Sequence, residues 1–319
     1  MWNRLYSANP SLSPYQSIDF IKQYLKTVKI GKRRAFLHNE ILCVHLKNAE
    51  IICPLAVDKR KKEVFLLGDF SSVGYCDLIY GPNMTDEQFD AVIDALKARY
   101  LGYTFRFNKV NENSMFYAYL CRRAEPLFPT ECACVFLGDD DEVYYKSLSK
   151  HSRQNIRTAY NRLNRDSKKW ELYIVSGNKR LTNKQKNAIS SVYARRMKVK
   201  QGKEALPYPL LFAVQRFFNP ISRALNRLSN QFHALLYIDG ELAACLSGFY
   251  NCDGSRIVIP HLAMNNDFDF YDPGIVLLRE TAKYLCTEHP NTALDLSRGN
   301  EKYKYTMGGK PHFNYSFVI

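Results

Sequence analysis

The chain lacks the composition of collagen-like, low-complexity and membrane-spanning proteins. Its 319 residues include only 15 glycines and 13 prolines, which excludes a collagen-like or low-complexity protein. No apolar run approaches the ~20 residues that a membrane helix needs, so we expect no integral membrane contact. The first seven residues, MWNRLYS, have no long apolar stretch behind them and do not predict a secretory signal. The 46% hydrophobic content predicts a globular protein of about two domains.

Cysteine is present without the spacing of a metal site. None of the nine cysteines forms a CxxC pair, and the closest two, Cys132 and Cys134, alternate as residues of a strand do. An odd number of thiols without a pairing pattern is typical of a reducing compartment. We therefore expect reduced, mostly buried thiols, no metal, and a cytoplasmic location.

The positive charge is concentrated in one segment. Residues 146–203 hold 17 Lys and Arg against two acids, whereas the rest of the chain holds 28 basic and 29 acidic residues. Such a field attracts polyanions without specifying which one. A nucleic acid, an acidic carrier protein, the phosphates of a nucleotide cofactor and an anionic membrane surface all remain open. A merely solvated face is the alternative.

The first 137 residues predict strands with one clear helix. Three short runs are rich in β-forming residues and are broken by polar turns; they are Arg34–His38, Ile41–Leu46 and Ile51–Leu55. Thr85 and Gln88 have capping-box spacing and predict a helix from Thr85 to Tyr100. Further strands are expected at 104–110 and 133–137. Because Pro126 and Pro129 punctuate the segment between them, we predict domains at 1–128 and 129–319.

The second domain alternates helices and strands. Helices are expected at 148–165, from Thr182 to Met197, at 210–218 and at 275–286, and short strands at 172–175, 256–264, 293–296 and 314–319. Two runs flank Asp239-Gly240, a dipeptide typical of a two-residue hairpin turn, and predict paired strands at 232–238 and 241–250. No internal repeat is evident, although both halves mix strands with helices.

Two features near the C-terminus could carry chemistry. A strand, a Pro273-Gly274 loop and a helix follow one another, and free N–H groups at a helix start attract anions. Asp295 lies in an otherwise apolar strand, where a carboxylate needs a partner or a role. Lys304 could pair with Asp295 and join strand to helix. Alternatively, Lys304 or a neighbouring tyrosine donates a proton to a leaving group.

These motifs resemble one family over most of the chain. The patterns Tyr271-Asp-Pro-Gly-x-x-Leu-Leu278 and Leu294-Asp-Leu-x-Arg-Gly-Asn-Glu-x-Tyr-Lys304 look like the C-terminal signature of the CelD/BcsL-like acyltransferases, a branch of the GNAT superfamily. The helix with Lys150, Arg153 and Arg157 is similar to that family's basic helix. Asn9–Ser17 resembles its start.

The resemblance implies an α+β fold of two GNAT-like lobes, the first one degenerate. It implies acyl transfer, most simply of acetyl, from acetyl-CoA or another acyl-CoA to an amino group of a small molecule, sugar or lipid precursor. The acyl thioester would lie where a mixed sheet splays. The main chain of Leu262, Ala263 and Met264 would hold the pantetheine arm, and the predicted pyrophosphate site is formed by Tyr271, Pro273, Gly274 and Ile275.

The sequence departs from the usual GNAT pattern at two points. Ordinary members carry Gln/Arg-x-x-Gly-x-Gly/Ala at the phosphate loop, where this chain has Phe-Tyr-Asp-Pro-Gly. Many place a tyrosine four residues before a glycine as the acid, and Lys304 takes that position before Gly308, next to Tyr303. The acid is thus Lys304 or one of the flanking tyrosines, Tyr303 and Tyr305, and the predicted bases are His261, Asp295 and Glu301.

Other functions remain open at this point. Fem-type aminoacyltransferases, distant relatives of the same fold, take their acyl group from aminoacyl-tRNA, which the basic segment could contact. An acyl carrier protein would fit the same segment through its acidic surface. A non-catalytic binding protein on a degenerate GNAT scaffold is the remaining alternative.

Overall fold

A computed structural model describes residues 1–28, 37–69, 73–202 and 206–319, apart from the side chains of residues 27, 28 and 200. The chain forms two compact units. Unit 1 contains residues 1–132, 251–253 and 311–319, and unit 2 contains residues 133–250 and 254–310. The predicted boundary after residue 128 falls inside a strand, because the chain continues extended from Leu127 to Phe136.

Unit 1 is built from a sheet and short helices. Its helices are α1 (Trp2–Ala8), α2 (Ile18–Val28), α3 (Asp86–Arg99) and α4 (Met115–Cys121). Its strands are β1 (Leu37–His45), β2 (Glu50–Asp58), β3 (Glu63–Leu66), β4 (Ile79–Tyr80), β5 (Thr104–Asn111) and most of β12 (Lys310–Val318). The strand order is β1-β2-β3-β5-β12, with β4 against β2. Phe89 on α3 packs against Phe116 and Tyr119 of α4 in the core, with the rings tilted relative to one another.

Unit 2 is the more regular of the two. Its helices are α5 (Asp141–Ser147), α6 (Lys150–Arg165), α7 (Asn183–Gln201), α8 (Tyr208–Ala213), α9 (Pro220–Leu225), α10 (Pro273–Glu288) and α11 (Lys302–Thr306). Its strands are the end of β6 (Leu127–Phe136), β7 (Trp170–Ser176), β8 (Gln231–Ile238), β9 (Glu241–Tyr250), β10 (Arg256–Met264) and β11 (Ala293–Arg298). A π-helical turn, Val214–Phe218, joins α8 to α9.

The sheet of unit 2 has helices on both faces. The strand order is β6-β11-β10-β9-β8-β7. One face packs on α5, α6 and α10, where Ile156, Leu163 and Leu277 are fully buried. The other face packs on α7 through a smaller cluster that includes Val192 and Ala263. Both faces are therefore apolar, which explains the near-continuous burial of β8 and β9.

Most elements agree with the prediction because their local signals are strong. The capping boxes at Thr85 and Thr182 form as the sequence indicates. The hairpin turn has positive φ at both Asp239 and Gly240, as a type I′ turn requires. The predicted strand at 34–38 lies mostly outside the described residues, and the next one begins at Leu37 rather than Ile41. Six of the nine cysteines are buried, in agreement with the expectation that most of the thiols lie in the core.

The two units share one supersecondary pattern. In unit 1, β3 and β5 run parallel on either side of α3 and pair over only three positions, from Glu63↔Thr104 to Phe65↔Arg106. In unit 2, β10 and β11 flank α10 and pair in parallel over three positions, from Arg256↔Ala293 to Val258↔Asp295. A structural repeat is thus present that the sequence does not reveal by similarity.

Candidate functional site

The site of interest lies where β10 and β11 part. Among the described residues, their parallel ladder ends at Val258↔Asp295, although β10 continues for six residues to Met264 and β11 for three to Arg298. Past that point the two strands no longer pair with each other in the ladder. A gap between two diverging strands fits an extended, amide-containing ligand arm.

A bulge in β10 starts the divergence. The register between β10 and β9 shifts between Val258 and His261. Gly248 lies opposite the bulge, and a Cβ there would overlap the Val258 carbonyl oxygen and come within 2.6 Å of Ile259 Cδ1. The bulged strand therefore requires glycine on its neighbour.

Asp295 turns the end of β11. It is fully buried, and its Oδ1 accepts a hydrogen bond from the backbone N–H of Ser297 at 2.9 Å. Ser297 has a positive φ of 56°, which a non-glycine residue adopts only when its surroundings hold it there. The buried acid that the sequence singled out thus has a structural task at the gap.

Lys304 supports the loop that follows β11. Its side chain is 1% exposed, and its ammonium donates to the carbonyls of residues 297, 298 and 299 at 2.8–3.0 Å. It also pairs with Glu301 Oε2 at 3.1 Å rather than with Asp295. All three N–H bonds of the ammonium have acceptors, so the geometry argues against Lys304 as a proton donor.

Three side chains, those of Arg196, Glu301 and Tyr303, gather at the open edge of β10. Arg196 on α7 donates from Nη1 to the Leu262 carbonyl at 3.0 Å, so this predicted pantetheine contact is already occupied by a side chain. The charges of Arg196 and Glu301 both act on Tyr303. Burial, and next the Glu301 carboxylate, raise the pKa of Tyr303 well above its usual value, so its hydroxyl stays protonated at neutral pH.

Glu301 itself remains ionised. Burial favours its neutral form, but the charge and hydrogen bond of Lys304, together with Arg196, lower its pKa below the ordinary value. Glu301 therefore supplies a fixed negative charge beside Tyr303. Lys304 thus acts on the candidate site indirectly, by holding Glu301 and the loop.

His261 lies on the face of β10 that packs on α7. Its ring is 4.6 Å from that of Tyr193, centroid to centroid. Burial, with a smaller effect of His233, lowers the pKa of His261 to about 4, so the imidazole is neutral at physiological pH and binds a proton only weakly. His261 pairs across the sheet with Ser247, whose Oγ is 2.8 Å from His233 Nδ1.

A small polar cavity adjoins this row of side chains. It has a volume of about 20 Å³ and is lined by His233, Ser247, His261, Tyr193 and other residues of α7 and α9. That volume holds roughly one water molecule. The cavity therefore gives the His261 side chain a polar neighbourhood, and it is too small to hold a substrate.

The predicted pyrophosphate site has mixed charge. Gly274 and Pro273 form the first turn of α10, and Gly274 packs directly against the Met264 thioether. Asp272 precedes the helix in a left-handed conformation and pairs with Arg162 at 2.6 Å. Burial, and then the charges of Asp272 and Asp267, raise the pKa of Asp269.

The remaining predicted residues of this site are engaged locally. Tyr271 donates from its hydroxyl to Asp166 at 3.1 Å. The Ile275 N–H donates to the Asp272 carbonyl at 3.0 Å. Ala263 is buried in the β10–β9 ladder opposite Cys245. Carboxylates and used N–H groups at the start of α10 make it a poorer diphosphate site than its position indicates.

The predicted basic helix α6 exposes two of its three named residues. Lys150 and Arg157 are exposed on the helix surface. Arg153 turns back and donates to the Lys146 and Leu148 carbonyls at the helix start. Arg153 is therefore part of the local structure, and the basic face is smaller than the sequence predicts.

Unit 1 fills the equivalent gap with its own chain. Beyond the β3–β5 ladder, the N–H of Cys76 donates to the Lys109 carbonyl at 3.0 Å. The segment from Val73 to Tyr80 is buried throughout. The gap in unit 1 is thus closed to a ligand arm, whereas that in unit 2 is lined by polar side chains.

Sequence reasoning did not find Arg196 or Tyr193. Both lie on α7, nearly 70 residues from β10, and Tyr193 has the spacing of a core residue. One signal in the sequence points to Arg196. It lies one helical turn after Tyr193, on the inward side of the helix, and a buried arginine needs a hydrogen-bond acceptor.

Comparisons with known proteins agree with this geometry. Residues 150–305 match a family model described as an acetyltransferase (GNAT) domain. The chain has a GNAT fold with two tandem GNAT-like units. No curated protein matches the sequence. The matched residues include the splayed strands and every side chain of the site described above.

Three solved structures show the same fold at low identity. FemX aligns with a TM-score of 0.63 and 10% identity over 100% of this chain and 95% of its own. The C-terminal domain of a putative lysylphosphatidylglycerol synthetase from Agrobacterium fabrum gives 0.58 and 12% over 94% and 91%. A tandem GNAT protein from the clavulanic acid biosynthesis pathway gives 0.52 and 10% over 99% and 92%. These likenesses extend over both units.

Proposed function

We propose that the protein is an acyltransferase that moves an acyl group from an activated donor to an amino group. The parting of β10 and β11 beside Tyr303 carries this proposal, because it provides a slot for the donor arm that ends at a protonated hydroxyl. The neighbouring GNAT-fold proteins and the GNAT domain match support transferase chemistry. The CelD/BcsL-like branch remains a prediction.

The proposed reaction moves two protons: the acceptor amine loses one, and the leaving atom of the donor gains one. The acceptor nitrogen attacks the donor carbonyl carbon, and the carbon–sulfur or carbon–oxygen bond to the carrier breaks. Tyr303 donates its hydroxyl proton to the leaving atom, and the ionised Glu301 carboxylate accepts the proton that the amine loses. Arg196 supplies positive charge at the open edge, where the oxyanion of the tetrahedral intermediate would form. His261 is the second candidate base.

Acyl-CoA is the first donor candidate. It fits the GNAT match. In this proposal its pantetheine arm lies along residues 262–264 and its pyrophosphate at the start of α10. The acceptor is then a small amine, an amino sugar or a lipid precursor. Asp272, Asp269 and Asp267 oppose a diphosphate at that helix, which weakens this assignment.

Aminoacyl-tRNA is the second donor candidate. The carboxylates at the start of α10 favour it over acyl-CoA, because this donor would not need to bind phosphate there. Its aminoacyl ester would enter the same gap while its backbone phosphates contact the basic segment 146–203 rather than α10. Such binding would weaken steeply as salt rises. An acyl carrier protein would use the same segment, with a shallower salt dependence because fewer counterions are released.

Tyr303→Phe tests the proposal. Removing the donor hydroxyl is expected to lower kcat by about 10²–10³-fold with little change in KM, because the ring still packs. The measurement is transfer of a radiolabelled acyl group from acetyl-CoA, from longer acyl-CoA and from aminoacyl-tRNA to a panel of amines.

Tyr305→Phe is the matched control, since it makes the same change two residues away on α11. It should keep the parent rate. A fully active Tyr303→Phe enzyme would show that another group protonates the leaving atom. A protein that binds a donor but transfers nothing to any amine would instead be a binding protein on this fold.

A further inference from the structure

An exposed apolar face lies along residues 206–218. Leu206, Leu210, Val214, Phe217 and Phe218 are between 37% and 53% exposed. We call these five side chains the outer apolar face. Large apolar residues that follow helical spacing normally point into the core, so a whole row on the surface marks an interaction site.

The opposite side of the same segment anchors it. Leu211 and Gln215 are buried. The Tyr208 hydroxyl is 2.8 Å from Ser191 Oγ on α7. Arg216 donates from Nε to Asn187 Oδ1 at 2.9 Å. The outer apolar face is therefore presented by a segment held firmly to its unit, rather than by a misplaced core helix.

The chain segment that carries this face is strongly basic. From Leu172 to Gln231 the sequence has 12 Lys and Arg and a single acid, Glu204, which lies outside the described residues. Lys184 and Lys198 on α7 are exposed. A second copy of the chain would bring two strongly positive surfaces together, which disfavours a dimer through this face.

We propose that the outer apolar face docks on an anionic lipid bilayer. Apolar side chains with basic residues around them are the chemistry of interfacial segments, in which the rings enter the headgroup region and the cations meet lipid phosphates. Among the described residues no helix is long and apolar enough to cross the bilayer. The contact is thus a surface one, and it does not depend on the proposed transferase activity.

Vesicle co-sedimentation of the full chain tests this. The protein is expected to bind phosphatidylcholine vesicles that contain phosphatidylglycerol and to bind pure phosphatidylcholine weakly. The double variant Phe217→Ser/Phe218→Ser should lose about tenfold or more in affinity for the anionic vesicles, because two rings no longer leave water. Lys184→Glu/Lys198→Glu should weaken binding too, because it removes two exposed cations of α7, the helix against which this segment packs.

The matched control removes exposed apolar side chains elsewhere. Leu101 and Phe128 are 86% and 77% exposed in unit 1, so Leu101→Ser/Phe128→Ser should bind vesicles as the parent does. Thermal unfolding should be unchanged in all these variants, since each altered residue is at the surface. Equal vesicle affinity of the parent and the Phe217/Phe218 variant would overturn the proposal. So would a parent dimer that this variant converts to monomer without any vesicle binding.

Discussion

A buried ammonium decides how the end of β11 is shaped. Lys304 satisfies three consecutive carbonyls and holds Glu301 in place, and no water competes with it at 1% exposure. Charge-assisted hydrogen bonds in such a setting are strong, and their loss leaves buried acceptors without donors. The residue that occupies the usual acid position of the family is therefore a positioning residue for Tyr303 and Glu301.

Lys304→Met should destabilise the folded protein and not only slow the proposed reaction. We expect a loss of about 3–5 kcal/mol in the free energy of unfolding, because three carbonyls and the Glu301 carboxylate lose their partner. Urea denaturation followed by circular dichroism measures this. Lys302→Met, an exposed change on the same helix, should cost less than about 0.5 kcal/mol. A stable but inactive Lys304→Met protein would restore Lys304 as a candidate acid.

At the scale of the element, the site depends on a strand that does not pair fully. The bulge in β10 rotates the strand away from β11, and Gly248 on β9 makes room for it. The functional geometry is thus a property of three neighbouring strands and cannot be assigned to one residue.

Gly248→Ala is expected to strain this arrangement. The added methyl group overlaps the Val258 carbonyl, so the two strands must shift, at a cost of about 1–3 kcal/mol. The measurement is the urea midpoint together with donor binding by calorimetry, and both should fall. Gly81→Ala makes the same change where no atom lies within 4 Å, and it should alter neither. Equal stability of the two variants would mean that the bulge does not need glycine.

At the scale of the whole molecule, the two units hold buried groups that respond to pH in opposite directions. In unit 1, burial raises the pKa of Asp77 to about 7, so the folded unit binds a proton that the unfolded chain releases above its ordinary pKa near 4. In unit 2, burial lowers the pKa of His233 and His261 to about 4, so the unfolded chain binds protons that the folded unit refuses. Acid should therefore stabilise unit 1 and destabilise unit 2.

Each unit carries one tryptophan, Trp2 in unit 1 and Trp170 in unit 2, which allows a direct test. Between pH 7.5 and 5.5 we expect the two histidines to remove roughly 3 kcal/mol from unit 2 and Asp77 to add roughly 2 kcal/mol to unit 1. In Trp2→Phe protein the urea midpoint seen by Trp170 should fall with acid. In Trp170→Phe protein the midpoint seen by Trp2 should rise, and Asp77→Asn should abolish that rise. Midpoints that move together in both proteins would contradict this linkage.

Elements with local signals were predictable from the sequence. The capping boxes at Thr85 and Thr182, the Asp239-Gly240 turn and the strand at 256–264 each depend on residues within a few positions of one another. The mixed fold and the two units follow from those elements together with the family resemblance. Local hydrogen bonds and hydropathy decide these features, and both are written in consecutive residues.

The tertiary structure alone decided what the singled-out residues do. In the sequence, Asp295 and Lys304 stand out as a carboxylate in an apolar strand and a lysine shortly after it. Only their hydrogen bonds, with the Ser297 N–H and the Arg298 carbonyl, show that they support the turn after β11. Arg196 reaches the site from a helix nearly 70 residues away, and the outer apolar face becomes recognisable only when the other side of its helix is seen to be buried. Composition, period and local turns are sequence properties, whereas the partner of a charge is set by chain segments that meet only on folding.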